Sequence, residues 1–345
     1  MRLMQAPSAR RQDGAGPRPS RVLARDRGPA PGTRRGQKAR RDARAGLALV
    51  SPTVVIVMAM VVLPIVWTVL LAFQDLDLLT LGTTGLLGGE FTLDNITSVL
   101  TESGFIESLA TTLAYSVFGT GLAIGLGLVA TLALRRHFPG RTFVRAAMLL
   151  PYVAPIVAVT FVWKTMLDPQ FGVVNYWGRR LFGWDGPIAF LTQATSDVSL
   201  LGLHIPVPTA LLTVIVFEGW RSFPFAFLFL MARIHALPAT LEDAARVDGA
   251  TPTQRFRHVV LPQLLPTIAV ISVLRFIWTF NSFDDIYLLT GGGAGTEVIS
   301  VRVYTFLTAR GDIGLSAAQA LVLAVILAVL VGIYLRRFGA REESI

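Results

Sequence analysis

Long apolar runs alternate with short polar connectors along this chain. The runs cover about Gly46 to Phe73, Ser108 to Leu134, Phe143 to Leu167, Thr209 to Met231, Leu264 to Leu289 and Leu315 to Tyr334. As helix, each is long enough to cross the roughly 30 Å hydrocarbon layer of a bilayer. In lipid, every backbone N–H and C=O must be satisfied internally, which leaves helices or closed barrels. The pattern therefore predicts an all-α polytopic membrane protein with six transmembrane helices. Pro151 and Pro155 predict kinks in the third span. Gly119, Gly121, Gly125 and Gly127 predict close helix packing by the second.

The connectors differ in charge, and that predicts an orientation. Gln74 to Gly104 holds Asp75, Asp77, Glu90, Asp94 and Glu102 and no Lys or Arg. Arg135, Arg136 and Arg141 follow the second span, and Arg336, Arg337 and Arg341 follow the last. Basic connectors stay on the cytoplasmic side, so both termini are expected inside a bacterial cytoplasmic membrane. Three segments result: a disordered basic cytoplasmic tail over 1–45, a six-helix transmembrane domain over 46–338, and a short cytoplasmic tail over 339–345.

Composition supports the membrane reading. Of 345 residues, 53% are hydrophobic and 15% charged, against about 25% charged in soluble domains. The net charge of +9 is not evenly spread: residues 1–45 hold 13 of the 31 Lys and Arg and 3 of the 22 Asp and Glu. No aromatics interleave with the tail arginines, so contact with anionic lipid headgroups is expected rather than nucleic-acid binding. The absence of cysteine removes disulfide, thiol and Cys-metal chemistry. His137, His204, His235 and His258 are scattered. No nucleophile–base constellation stands out, and no G-x-x-x-x-G-K-[ST] loop occurs, so ATP binding by that loop is excluded. Neither catalytic residues, metal ligands nor a bound cofactor are expected.

One non-spanning stretch organises the rest, Leu241 to Pro266 within a connector over 237–266. It reads as a short helix, a turn and a second helix start. Pro238 suits the preceding turn, and Thr240 with Asp243 makes a start like a capping box. Ala244 and Ala245 leave one helix face nearly bare. Gly249 is placed to end the helix in the left-handed conformation, and Thr251–Pro252 fits the cap and first position of the next. The stretch resembles the EAA loop of bacterial ABC-importer permeases: Glu-Ala-Ala, three residues, Gly, nine residues, Ile-x-Leu-Pro. Here Asp243 stands for Glu and Val259 for Ile, with every spacing kept. Asp248-Gly249-Ala250 and Phe256 resemble the carbohydrate-uptake branch, the maltose and glycerol-phosphate type.

That resemblance implies a type I importer permease fold. It also implies coupling to an ATPase through Glu242, Asp243, Ala244, Ala245, Asp248, Gly249, Ala250, Leu261 and Pro262. The implied partners are a cytoplasmic ABC ATPase dimer, a second, different permease subunit, an extracytoplasmic solute-binding protein and the bilayer, with no nucleic acid. The chain itself is then a transport subunit and not an enzyme. In the maltose-type branch the fifth span lines the sugar site, and its contact positions fall here on Arg275, Trp278, Thr279 and Ser282. Their spacing of three and four expects one shared helix face. Three of these four differ in chemistry from that branch, so the helix location transfers better than the identity of the solute; the resemblance implies a sugar or sugar-like compound. The alternatives are another small solute (a polyamine or phosphate ester) or, with no internal repeat to support it, an ion-coupled secondary transporter.

Ionisable side chains inside spans are costly and should face protein and pair. Glu218 and Arg221 lie in the fourth span, Arg275 in the fifth, and Asp284 and Asp285 near its far end. At i, i+3, Glu218 and Arg221 are spaced to pair with each other.

Overall fold

The computed structural model describes residues 46–338 except 86, 87, 185, 201 and 202, with the side chains of 84, 197–200, 203–205, 239 and 338 also outside the description. The expectations for 1–45 and 339–345 lie outside the described residues. Among the described residues, five helices are long and apolar enough to cross a membrane: α1 (Gly46–Ala72), α3 (Phe105–Ala133), α7 (Thr209–His235), α9 (Pro252–Phe280) and α12 (Ile313–Phe338). The third predicted span is α4 (Arg141–Val153) and α5 (Ile156–Leu167), bent by 96° between them. Ala154 and Pro155 at the break are extended. A residue before proline is driven out of the helical region by the proline ring, which places the break. Shorter helices are α2 (Asp94–Thr101), α6 (Val173–Phe182), α8 (Ala239–Val247), α10 (Asp284–Thr290) and α11 (Ile299–Thr308).

Two antiparallel pairs of strands lie in the connectors. In the first, Gln74–Asp75 (β1) pairs with Glu90–Phe91 (β2); in the second, Ser196–Leu200 (β3) pairs with Leu203–Val207 (β4). The expected fifth span ends early. Helix α9 stops at Phe280, Asn281 caps it with its side-chain amide donating to the Ile277 carbonyl at 2.8 Å, and α10 starts at Asp284.

The chain divides into two units, Met1–Leu63 and Pro64–Ile345. The described part of the first is helix, with Leu47, Leu49, Val55 and Met60 among its exposed side chains. An all-round apolar helix exposed in this way suits a lipid environment. Two wide helical turns, Met58–Val62 and Phe256–Val260, each end two residues before a proline, Pro64 and Pro262. A proline inside a helix removes one N–H and collides with the carbonyl four residues back. Widening the preceding turn keeps the helix continuous around that defect.

The second unit is built on α3 against α7. A Cβ on Gly127 would stand 2.7 Å from the Ala226 Cβ and 2.9 Å from the Phe227 nitrogen. A Cβ on Gly219 would meet the Leu122 side chain at 2.5 Å. Glycine at these two positions lets the backbones approach, and dispersion contacts replace the hydrophobic drive that lipid does not supply. Of the four glycines expected to pack, Gly119 and Gly127 do so, while Gly121 and Gly125 face open space. At the N-terminal end of α3, Glu102 holds Arg310 at 2.6 Å and Arg302 at 3.2 Å, and Arg302 also reaches Glu297 at 3.5 Å. This network ties the start of α3 to α11 and the segment before it.

The helix crossing is testable. Gly127→Val should cost on the order of 1–3 kcal/mol through overpacking, read as a lowered unfolding midpoint of the purified chain. Gly125→Ala, whose added Cβ meets nothing within 4 Å, should not lower the midpoint and should raise it slightly, because alanine favours a helix interior over glycine.

Candidate functional site

Two polar groups sit among the spans. In the first, Glu218 of α7 pairs with Arg275 of α9. They are 1% and 5% exposed, so both charges are stripped of water. Such a pair is tolerated only where further hydrogen bonds complete it. Here Ser222 and Thr279 each donate to Glu218 Oε1 at 3.0 Å, and Arg275 donates to the Ser222 hydroxyl at 2.6 Å. Gly119 makes room for it: a Cβ there would lie 3.1 Å from Glu218 Cγ and 3.6 Å from Thr279 Cγ2.

In the second, Arg221 Nε stands 3.2 Å from Oδ1 of fully buried Asp285. Tyr115 donates to Asp285 Oδ2 at 3.1 Å and Ser282 at 3.4 Å. Glu218 and Arg221 therefore pair across helices rather than with each other. Each of these two charges on α7 meets an opposite charge arriving from the segment between Arg275 and Asp285, a match that one-helix spacing does not reveal.

The four residues expected on one face separate into three environments. Arg275 and Thr279 point into the buried pair. Ser282 lies beyond the end of α9, where it meets Asp285. Trp278 is 47% exposed. Its ring packs edge-on against Phe225 at 5.1 Å, and Phe225 is 4.7 Å from Phe229 and 6.2 Å from Tyr152. Tyr152 and Phe229 are themselves exposed. An aromatic strip therefore runs from the α4–α5 bend across α7 to α9, with the Arg275 guanidinium 5.7 Å from the Trp278 ring. Sequence reasoning missed Tyr152, Phe225 and Phe229. Phe225 and Phe229 at i, i+4 were the available signal, but apolar aromatics in a span carry little information alone.

The connector after α7 folds largely as its residues dictate. Helix α8 begins at Ala239 after extended Pro238, and Thr240 lies inside the helix with no side-chain cap. The start resembling a capping box is thus corrected: the cap position is Pro238, two residues before Thr240. Asp243 instead pairs with Arg246 at 3.2 Å, with both side chains exposed. Gly249 adopts φ +76°. Its N–H donates to the Arg246 carbonyl at 3.1 Å and that of Ala250 to the Ala245 carbonyl at 2.9 Å, which satisfies the last carbonyls of the helix. Thr251 caps the next helix, with Pro252 following and Gln254 completing a reciprocal capping box.

Glu242 pairs with Arg135, just past the end of α3. Burial, with the guanidiniums of Arg246 and Arg255 nearby, holds the Arg135 pKa below the ordinary arginine value. The pair anchors α8 to the end of α3 opposite the Glu102 network. Ala244 is exposed and Ala245 partly so, as are Asp248 and Gly249, while Ala250 and Leu261 are partly covered. Pro262 lies in the first turn after the wide one.

These features define an integral membrane protein with a braced connector at one end of its bundle. The chain belongs to the family of binding-protein-dependent transport system inner membrane components, whose pattern matches residues 119–341. It is 31% identical over 290 residues to the inner membrane ABC transporter permease protein YcjO of Escherichia coli, covering 84% of this chain and 92% of that one. It is 30% identical over 299 residues to the trehalose transport system permease protein SugA of Mycobacterium tuberculosis, covering 87% and 90%. The trehalose/maltose transport system permease protein MalF of Thermococcus litoralis is 29% identical over 297 residues, covering 86% and 94%. In structure it matches a chain of a bacterial ABC transporter involved in the import of the acidic polysaccharide alginate. The TM-score is 0.69 at 23% identity, with 88% and 99% of the chains covered. The fold is that of type I importer permeases, and the protein is a multi-pass inner-membrane transport subunit.

The buried pair gives a stability prediction. Glu218→Ala alone should destabilise by about 3–5 kcal/mol, because Arg275 is left charged and unpaired in the interior. Adding Arg275→Met should recover most of that loss in the unfolding midpoint. No recovery would show that the two side chains do not act as a pair.

Proposed function

We propose that this chain is one half of the translocation path of an ABC importer for a sugar or sugar-like solute. ATP is hydrolysed by a separate cytoplasmic ATPase dimer, a second and different permease subunit supplies the other half, and an external binding protein delivers the solute. The observation that carries this reading is the α8 connector. It is a short helix entered from Pro238 and closed at its C-terminal end by backbone hydrogen bonds, braced to α3 through Glu242, with its Ala244 side uncovered. A short rigid element is what a soluble motor needs to move spans that lipid otherwise surrounds. Asp243, Ala244, Ala245 and Asp248 form the surface offered to the ATPase. Gly249, Ala250, Leu261 and Pro262 set the angle between α8 and α9.

For the solute, the aromatic strip is the better candidate than the polar face expected from spacing. Sugars stack their apolar C–H faces on aromatic rings, and Trp278, Phe225, Phe229 and Tyr152 supply such rings. Arg275 and Thr279 hold the helix that presents Trp278, and Ser282 acts through Asp285. Sugar transport by relatives such as SugA and MalF is consistent with this choice. Both termini are cytoplasmic, with 1–45 a basic tail beside the inner leaflet, 46–338 the permease domain and 339–345 a short tail.

Two substitutions test coupling. Gly249→Val places a β-branched residue at positive φ, at a cost of at least about 1 kcal/mol, and Ala245→Trp fills the partly bare face. Both should leave the spans inserted but weaken ATPase association or separate hydrolysis from uptake. Wild-type binding and uptake in both variants would remove the coupling role. Trp278→Ala should reduce uptake or change solute preference in an assembled complex, and an unchanged solute profile would move the path away from the strip. For topology, the chain has no native cysteine. A cysteine at exposed Asp94 should react with an impermeant reagent from outside, and one at exposed Thr253 should not.

A further inference from the structure

A cavity of about 450 Å³ lies behind α8, between the end of α3 and the start of α9. Arg135, Arg136, Arg246 and Arg255 line it, and Glu242 is the one carboxylate among its lining residues. Leu132, Phe256 and Val260 form an apolar floor. The charges do not cancel. Glu242 is taken by Arg135, and Asp243 outside the cavity is taken by Arg246. Among the described residues, the side chains of Arg136 and Arg255 make no hydrogen bond or ion pair, and Arg255 Nε is buried without a partner. Four guanidiniums around one carboxylate repel one another; Arg136 and Arg246 are exposed, while Arg135 and Arg255 are partly covered, so the repulsion is least screened at these two. Evolved folds rarely leave a buried donor unsatisfied unless something else satisfies it.

We propose that this cavity binds the phosphate group of a phosphate ester, at the membrane surface where α3 ends. Guanidinium forks match phosphate oxygens in pairs, with charge on both partners. Arg136 and Arg255 supply the free forks, and Leu132, Phe256 and Val260 receive an apolar portion of the same molecule. The position gives the site a consequence. A bound phosphate neutralises the repulsion between Arg255 at the start of α9, Arg246 on α8 and Arg136 after α3, and so stiffens the brace between the coupling helix and the spans. The site lies on the inner side only if the importer reading of α8 holds, so the proposal rests on that reading for its location but not for its chemistry.

Two sources share this chemistry, an anionic lipid headgroup and a free phosphate ester, and the test separates them. The purified permease with its partner chains is stripped of lipid in detergent. One arm adds inorganic phosphate, with chloride at equal ionic strength as the control. The other adds phosphatidylglycerol, with phosphatidylcholine as the control and bound lipid counted by native mass spectrometry. The readout in both is the unfolding midpoint of the permease against ligand concentration. Wild type should rise in at least one arm above its control. Arg136→Gln and Arg255→Gln should each weaken the apparent affinity by about tenfold or more, the value of one charged hydrogen bond. Both side chains lack partners in the fold and Arg255 is repelled by its neighbours, so the ligand-free midpoints of the variants should equal or exceed wild type, never fall below it. A rise with phosphatidylglycerol alone assigns a lipid headgroup, and a rise with inorganic phosphate assigns a free ligand. Equal responses of wild type and both variants, or no rise in either arm, overturn the site. Loss of ATPase association in both variants without phosphate or anionic lipid also overturns it, because the cavity then holds an acidic side chain of the partner. Solute uptake by the same wild-type preparation judges the importer reading separately: uptake without a phosphate response sinks only the site, and a response without uptake sinks only the importer reading.

Discussion

Charge inside a bilayer must be matched by charge, and two such matches hold the centre of this protein. Glu218 and Arg221 lie on one face of α7 within a single turn. Glu218 is fully buried and Arg221 three-quarters covered, so each needs a partner of opposite sign at short range. Arg275 supplies one from α9, and Asp285 supplies the other from α10 after the chain has broken at Asn281. The break thus has a use: a straight fifth span would carry Asp285 away along the helix axis. Ser222, Thr279, Tyr115 and Ser282 complete the two groups. Gly119 has no side chain because the Glu218 stem occupies that space.

The same helices carry the two ends of the molecule. Near its start α3 is tied to α11 through Glu102, Arg302 and Arg310, and just past its end it is tied to α8 through Arg135 and Glu242. Gly127 and Gly219 press it against α7 in between. A push on α8 therefore enters a stack of close-packed backbones rather than a flexible loop. Close-packed interiors transmit displacement because they hold few voids to absorb it. This is the physical basis for treating α8 as the coupling element. The aromatic strip on Tyr152, Phe225, Phe229 and Trp278 joins α4, α7 and α9, so a change in their relative positions alters the strip.

Much of this architecture was legible in residue order. Apolar runs located the first, second, fourth and sixth spans to within a few residues, because a helix in lipid must be apolar over a fixed length and its termini are marked by polar side chains. Pro155 located the break in the third span through a local steric rule. Gly249, Thr251 and Pro252 located the turn between α8 and α9, because positive φ and the missing proline N–H restrict the backbone whatever surrounds it. Membership of the permease family was legible in Asp243-Ala244-Ala245, Gly249 and Leu261-Pro262, since spacing within one connector is a property of the chain.

Other features depend on which helices are neighbours, and no local rule supplies that. Spacing made Glu218 and Arg221 partners, and packing gave each a different one. Spacing put Arg275, Trp278, Thr279 and Ser282 on a common face, and the end of α9 at Phe280 removed Ser282 from it. Of four glycines equal in sequence, Gly119 and Gly127 meet α7 and Gly121 and Gly125 do not. The arginines of the α8 cavity lie up to 120 positions apart along the chain, and the helix end and connector bring them together. The sequence by itself determined what each segment must be, because lipid and backbone sterics act on every residue where it stands. Only the tertiary structure decided which charges and rings meet, because desolvation and packing act between segments whose proximity the chain order does not encode.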